Sequence, residues 1–379
     1  MGLSRTQLWQ LLEDSGPVVE PLLLDAYRHE AQLEWMRGDR SPHGAPWHTS
    51  FHSSSFPGTN DLACGRKAVY DLLDPPSPAP REPSLQAMFD QGLDLEHHWV
   101  SRLKSYGALL SADVTGDDDY QTGFQDPEHW LTGGTDAIVL PRGWTKGLIV
   151  EIKTTSKEKI IAMRANPPSL PFSHDKYVRQ ILTYIAMAHE MPFTPTVRLC
   201  AVSGAIFEHP DHLRCPEHVF AEDPCFYKDV KLSPPDCGEL VYSAREEPMT
   251  TVSFKFSYDP EHMRAGRAKL AEWRDAFLSG QIPEHPREHR RVGGGKIGWS
   301  FEPCKWCDLR KTVCQPDWDD KITTLSESHL VSFAEGVRPG WSYEEKRRAV
   351  LTRWGAEDPT RGDHLIGSSS EQREEASVP

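Results

Sequence analysis

The chain has 379 residues, 38% hydrophobic and 26% charged, with a formal net charge of −14 at pH 7, enough apolar material for one large domain with embellishments or two smaller ones. It shows no run of eighteen apolar residues and no charged-then-apolar leader, so neither a membrane span nor a secretory signal is expected and a cytoplasmic location follows. The acidic balance argues against non-specific coating of nucleic acid, and eight cysteines in a reducing compartment read as metal ligands or buried thiols, not as four disulfides.

Residues 1 to about 60 form a helical extension and loop. Ser4 and Gln7 have capping-box spacing before Leu8, Leu11 and Leu12, and a second helix runs from Pro21 to about Arg37. The stretch 38–60 is rich in Gly, Pro, Ser and His, and His43, His48 and His52 have no ligand spacing. DLACGRKAVYDLL reads as a helix bearing Cys64, Arg66, Lys67 and Tyr70; a lone cysteine there is ordinarily core. After the Pro-rich PPSPAPREP, helical periodicity runs through Leu85, Met88, Phe89, Leu95 and Trp99. Gly92 and Glu96 share a face of that helix, so Glu96, or His97 beside it, could reach a metal from the side. The acidic GDDD at 116–119 reads as a turn.

The richest stretch is 133–156, GGTDAIVLPRGWTKGLIVEIKTTS. GTDAIVL and GLIVEIKT are short, β-branched and separated by Pro141, Gly143 and Gly147, so they read as adjacent strands joined by a short loop. Glu151 and Lys153 stand two apart and point to one side, with Val150 and Ile152 on the other. With Asp136 on the first strand, two carboxylates and a lysine converge. Phosphodiester hydrolysis uses such a trio: Asp136 and Glu151 offer hard oxygen ligands to Mg²⁺ or Mn²⁺, and Lys153 orients a water or stabilises developing charge. The bland alternative is a hairpin with a solvated carboxylate and an ordinary Lys–Glu face.

KTTSKEKIIAMRANP brings basic groups that suit either a phosphate backbone or plain solvation. DKYVRQILTYIAMAHE, 175–190, reads as a helix with Tyr177, Ile181, Ile185 and Ala188 on one face and Gln180 and Tyr184 sharing another. TVRLCAVSG reads as a third strand with Cys200 a buried thiol. Residues 204–250 read as an irregular insertion, where Cys215, Cys225 and Cys237 among His209, His212 and His218 lack the tight spacing of zinc knuckles. TVSFKFSYD gives a fourth strand, followed by a helix from Pro260 to Ser279. The basic PREHRRVGGGKIG suits a flexible DNA-contacting loop or a linker. Cys304-x2-Cys307-x6-Cys314 is tight enough to be a metal set that lacks one thiolate. Ser342 and Glu345 open a last helix to Trp354, and 357–379 has the composition of a disordered tail.

The order Gly92-x3-Glu96, GTD at 134–136, EIK at 151–153, Gln180-x3-Tyr184, Gly280-x2-Pro283 and a terminal cysteine triplet resembles the RecB-like branch of the PD-(D/E)XK nucleases. With Cys64 upstream it looks most like the iron–sulfur members, the CRISPR-associated exonucleases and the nuclease domain of the AddB subunit. The resemblance implies an α/β restriction-endonuclease-like core over 61–320, a mixed central sheet flanked by helices, with 321–379 a C-terminal helix and tail. It implies Mg²⁺ or Mn²⁺ on Asp136, Glu151 and Glu96, Lys153 as the catalytic lysine, and Gln180 and Tyr184 supporting the site and contacting DNA. Cys64, Cys304, Cys307 and Cys314 would ligate a structural 4Fe-4S cluster that staples the two ends of the domain. Many relatives carry His where this chain has Glu96. No GxxxxGK[ST] P-loop accompanies the motifs, so a complete helicase–nuclease is not expected. The implied activity is exonucleolytic, on ends of single-stranded or resected DNA, with a protein partner in recombination, repair, phage or CRISPR DNA processing. A sequence-specific endonuclease and a non-catalytic DNA-binding scaffold are the rival readings.

Overall fold

The computed structural model describes residues 49–52, 56–57, 63–73, 83–111, 123–165, 175–190, 194–206, 226–283, 289–292, 296–299, 323–324 and 343–357. In chain order its elements are strand β1 (Phe51–His52), helices α1 (Gly65–Leu73) and α2 (Pro83–Ser105), strands β2 (Leu109–Ser111), β3 (Gly123–Asp126), β4 (Leu131–Gly134), β5 (Ala137–Val139) and β6 (Leu148–Thr155), helices α3 (Lys157–Ala165) and α4 (Asp175–Glu190), strands β7 (Thr196–Cys200), β8 (Tyr227–Lys231), β9 (Cys237–Ala244) and β10 (Thr251–Ser257), helix α5 (Pro260–Leu278), strands β11 (Gln281–Ile282), β12 (His289–Val292), β13 (Lys296–Trp299) and β14 (Thr323–Thr324), and helix α6 (Tyr343–Trp354). The predicted helices at 1–37, the turn at 116–119, Cys215, Cys225, Cys304, Cys307, Cys314 and the tail beyond 357 lie outside the described residues.

The central sheet is mixed and runs β10-β9-β6-β5-β2. β5 and β6 pair antiparallel, Ala137 opposite Val150 and Val139 opposite Leu148, as the 133–156 motif predicts. β6 then pairs parallel with β9, Ile149 opposite Gly238. Helices cover both faces, which is why β6 opens on the apolar run Leu148, Ile149, Val150 and is buried over most of its length. On one face Ile149 packs with Ile181, Tyr184 and Ile185 of α4 and with Leu240 and Tyr242 of β9. On the other, Val150 and Ile152 pack with Val100 and Trp99 of α2. Each fully buried Ile or Leu contributes roughly 1.5–3 kcal/mol. Asp259 caps α5 by accepting from Glu261 N at 3.0 Å, with Pro260 in the first turn, where its missing N–H costs nothing.

TVRLC is a strand as expected, and it pairs with β8 in a separate two-stranded sheet. Two expectations change. The stretch 204–250 is not irregular where it is described: it carries β8 and β9, and β9 is the central neighbour of β6. Gly238 and the preceding Pro234 and Pro235 look like breakers, yet the glycine is there because a Cβ would fall 2.8 Å from Ile149 O. The sheet closes too tightly for a side chain at that point. Finally, part of PREHRRVGGGKIG forms an antiparallel hairpin, β12–β13, with Val292 opposite Lys296. Cys200 is buried as expected, and Cys237 is buried beside Val150 and Ile152, where burial raises its thiol pKa.

A second sheet, β1-β4-β3, stands beside the first. It is held by Trp130, whose ring stacks on Trp354 at 6.5 Å and meets Phe277 edge-on at 5.8 Å, while Trp354 Nε1 donates to Thr49 O at 2.6 Å. α1 lies against α5 so closely that a Cβ on Gly65 would sit 2.2 Å from the Trp273 indole nitrogen. Among the described residues no helix is long and apolar enough to cross a membrane.

Candidate active site

The chain passes from β4 of the second sheet to β5 of the central sheet through Thr135 and Asp136. β5 begins at Ala137, so β6 runs on past its partner and would expose unpaired backbone groups along that edge. Side chains complete it. Thr135, fully buried, donates through Oγ1 to Val150 O at 2.9 Å. Asp136 Oδ2 accepts the Ile152 N–H at 2.5 Å. The corner between two sheets thus fixes Asp136 against β6.

Glu151 and Lys153, two apart on β6, share the face toward α4 and are ion-paired through Glu151 Oε1. Glu151 is fully buried, and its other oxygen, Oε2, has no hydrogen-bond partner. Burial, reinforced by the charge of Asp136, pushes its pKa up to about 8; Lys153 pulls the other way and Glu96 adds a smaller push upward. At Lys153 the balance reverses. Burial disfavours the ammonium, but Glu151 and Asp136 outweigh it and hold the pKa above the ordinary lysine value. The pair therefore carries a firm cation beside a carboxyl that lacks enough positive charge to ionise comfortably at neutral pH.

Gln180 and Tyr184 lie on the α4 face over this strand, Gln180 Nε2 donating to Tyr184 Oη at 2.9 Å, both buried. Glu96 stands on α2, one turn beyond Gly92, whose absent Cβ would lie 3.7 Å from Thr154 Oγ1. Among the described residues no three His, Cys, Asp or Glu side chains gather into a metal-ligand set of their own. Asp136 and Glu151 are thus a two-carboxylate pair, with Glu96 sensed electrostatically at Glu151. Such a pair is chemically suited to Mg²⁺, which keeps several waters and takes phosphate oxygens from its substrate. The unpartnered buried oxygen of Glu151 is the structural feature a cation fits.

Two neighbours do more than the motifs assign them. Thr135 gives no signal beyond its place beside Asp136. Tyr177, read as part of the apolar face of α4, also presents its ring to Lys153, with Nζ 5.3 Å from the ring centroid. It stands three residues before Gln180, and that spacing was the available clue. Two cations of α3 are engaged elsewhere: Lys157 pairs with Glu247 at 2.5 Å and Arg164 Nε donates to Thr251 O at 3.0 Å.

No protein-family model and no curated protein matches the chain. Among solved structures it is similar to an alkaline exonuclease, LHK-Exo, from Laribacter hongkongensis, with TM-score 0.31 and 11% identity over 65% of this chain and 92% of that one. The same exonuclease in complex with dAMP gives TM-score 0.29 and 11% identity over 61% and 89% of the two chains. Roles for the residues above come from their own geometry.

Proposed function

We propose that the protein is a metal-dependent deoxyribonuclease with a PD-(D/E)XK-type core, acting from DNA ends. The observation that carries this reading is the convergence of Asp136, Glu151 and Lys153, with a fully buried Glu151 oxygen that has no protein partner. Asp136 and Glu151 hold Mg²⁺ or Mn²⁺, with Glu96 within electrostatic reach. When bound, the ion supplies Lewis-acid polarisation of the phosphate. Lys153 keeps its proton and faces the charge that develops as the phosphodiester breaks. Gln180 and Tyr184 fix the α4 side of the site and contact the DNA. The scaffold alternative leaves the buried Glu151–Lys153 pair without a use, since isolated buried ion pairs seldom stabilise a fold.

Digestion of linear against closed circular DNA, with Mg²⁺ or Mn²⁺, tests the exonuclease reading. Linear DNA is expected to be degraded and intact circles spared; equal cleavage of circles, or discrete bands, would favour an endonuclease. Lys153→Ala is expected to lower the rate by at least 10²-fold, the scale on which removal of a charge-stabilising donor acts. Full activity in that variant rejects the site.

The same reading places a 4Fe-4S cluster on Cys64, Cys304, Cys307 and Cys314. Its support is positional. Cys64 directly precedes α1, half-buried, and Arg66 Nη1 donates to Pro283 O at 3.4 Å. At Ile282 the chain departs, and Thr323 returns to pair with it, so the excursion bearing the other three cysteines starts and finishes beside the helix that follows Cys64. Anaerobically purified protein is expected to be brown with about four irons per chain. Stoichiometric zinc without iron would replace the cluster with a structural zinc site.

A further inference from the structure

We propose that Lys176 and the ring of Tyr177 form a subsite for the backbone phosphate next to the one being cut. The inference rests on the nuclease reading above and adds the residue that holds the substrate strand. Two ammonium groups share one ring: Lys153 Nζ lies 5.3 Å from the Tyr177 centroid and Lys176 Nζ 4.7 Å from it. The negative faces of an aromatic ring attract cations at this range, which lets two like charges stand close without a carboxylate between them. Their situations differ. Lys153 is committed to Glu151 inside the site. Lys176 is exposed, and among the described residues no carboxylate pairs with it.

A chain of net charge −14 repels a polyanion at long range, so a cation left without an acid at the edge of the catalytic group has a clear use. Phosphates follow one another along a strand. A cation held one ring away from Lys153 meets a neighbour of the phosphate on which Lys153 acts. Such a contact sets the register of the strand and carries no base preference. The Tyr177 ring is then the spacer that keeps the two cations on successive phosphates.

Fluorescence anisotropy of labelled single-stranded and duplex oligonucleotides, with Ca²⁺ in place of Mg²⁺ over a salt series, tests this. In Lys176→Gln the slope of log K against log salt is expected to shrink by about 0.7 on a single strand or about 0.9 on a duplex, the signature of one lost phosphate contact. The arm that shows the change identifies the form of DNA held there. Lys176→Arg and Tyr177→Phe are expected to keep the wild-type slope, and Tyr177→Leu to resemble Lys176→Gln. An unchanged slope in Lys176→Gln, in a wild type that degrades linear DNA, overturns the subsite and leaves the nuclease reading intact. Wild-type protein that neither binds nor cuts DNA overturns both. A Lys176→Gln protein with weakened Mg²⁺ binding by calorimetry would show that the substitution acts through the metal site itself and would overturn the phosphate assignment.

Discussion

Glu151 is the residue on which the chemistry and the stability of this protein meet. In the folded chain without a bound ion, burial and the nearby charge of Asp136 push its carboxyl pKa up to about 8 from an ordinary 4.5, against the pull of Lys153. The sign follows from linkage: a raised folded pKa stabilises the fold fully below the unfolded value, and that contribution is lost as pH climbs from about 4.5 toward 8. Glu151→Gln cannot ionise. In EDTA, its melting temperature should therefore exceed that of the wild type by several degrees at pH 8 and by little at pH 5. Added Mg²⁺ should raise the wild type and leave the variant unmoved. Parallel wild-type and variant curves across this range would refute the assignment. The sequence made this residue visible, since Glu151 and Lys153 lie two apart on a strand, but it could not show that one carboxylate oxygen would be left without a partner. That depends on α4 closing over β6, and nothing local encodes it.

Among elements, helices were far more legible than strands. The span 175–190 and its Gln180–Tyr184 face emerge from periodicity alone, because a sixteen-residue amphipathic pattern repeats several times. β9 was not legible. Its side chains alternate, Leu240, Tyr242 and Ala244 toward α4, but the strand follows directly on Pro235 and Asp236 and opens on Cys237 and Gly238, a string that ordinarily marks a loop. The glycine serves the sheet instead. Gly238→Ala puts a methyl against a backbone carbonyl that cannot turn aside, with Ile149 Cβ and Ile185 Cγ1 both at 3.0 Å. The expected cost is about 1–3 kcal/mol. Because β6 carries Glu151 and Lys153, the variant should also lose metal affinity, read by calorimetry at a temperature where it stays folded. A substitution that lowered neither quantity would show that the two strands have room to part.

At the scale of the whole molecule, the described residues form a five-stranded mixed sheet with helices on both faces, a three-stranded sheet beside it, and three two-stranded pairs, one of which joins Ile282 to Thr323. The expectation of a mixed sheet flanked by helices comes from the family resemblance, and the central sheet agrees with it. The second sheet was not legible, because β1 and β4 meet only in space, Phe51 opposite Leu131 across most of the N-terminal third of the chain. That sheet bears on the site through its corner. Asp136 stands at the corner, one residue past β4 and directly before β5, so its position answers to both sheets, whereas Glu151 belongs wholly to the larger one, and the gap between the two carboxylates works as a caliper with one of its jaws on the hinge between the slabs. Anything that tilts one slab opens the jaws. Trp354 is far along the chain from both acids, yet it wedges the smaller slab in place through Trp130 and Thr49. Trp354→Ala should accordingly weaken Mg²⁺ binding more than it slows turnover at saturating Mg²⁺, a misalignment measured at the ion and made at the opposite end of the lever.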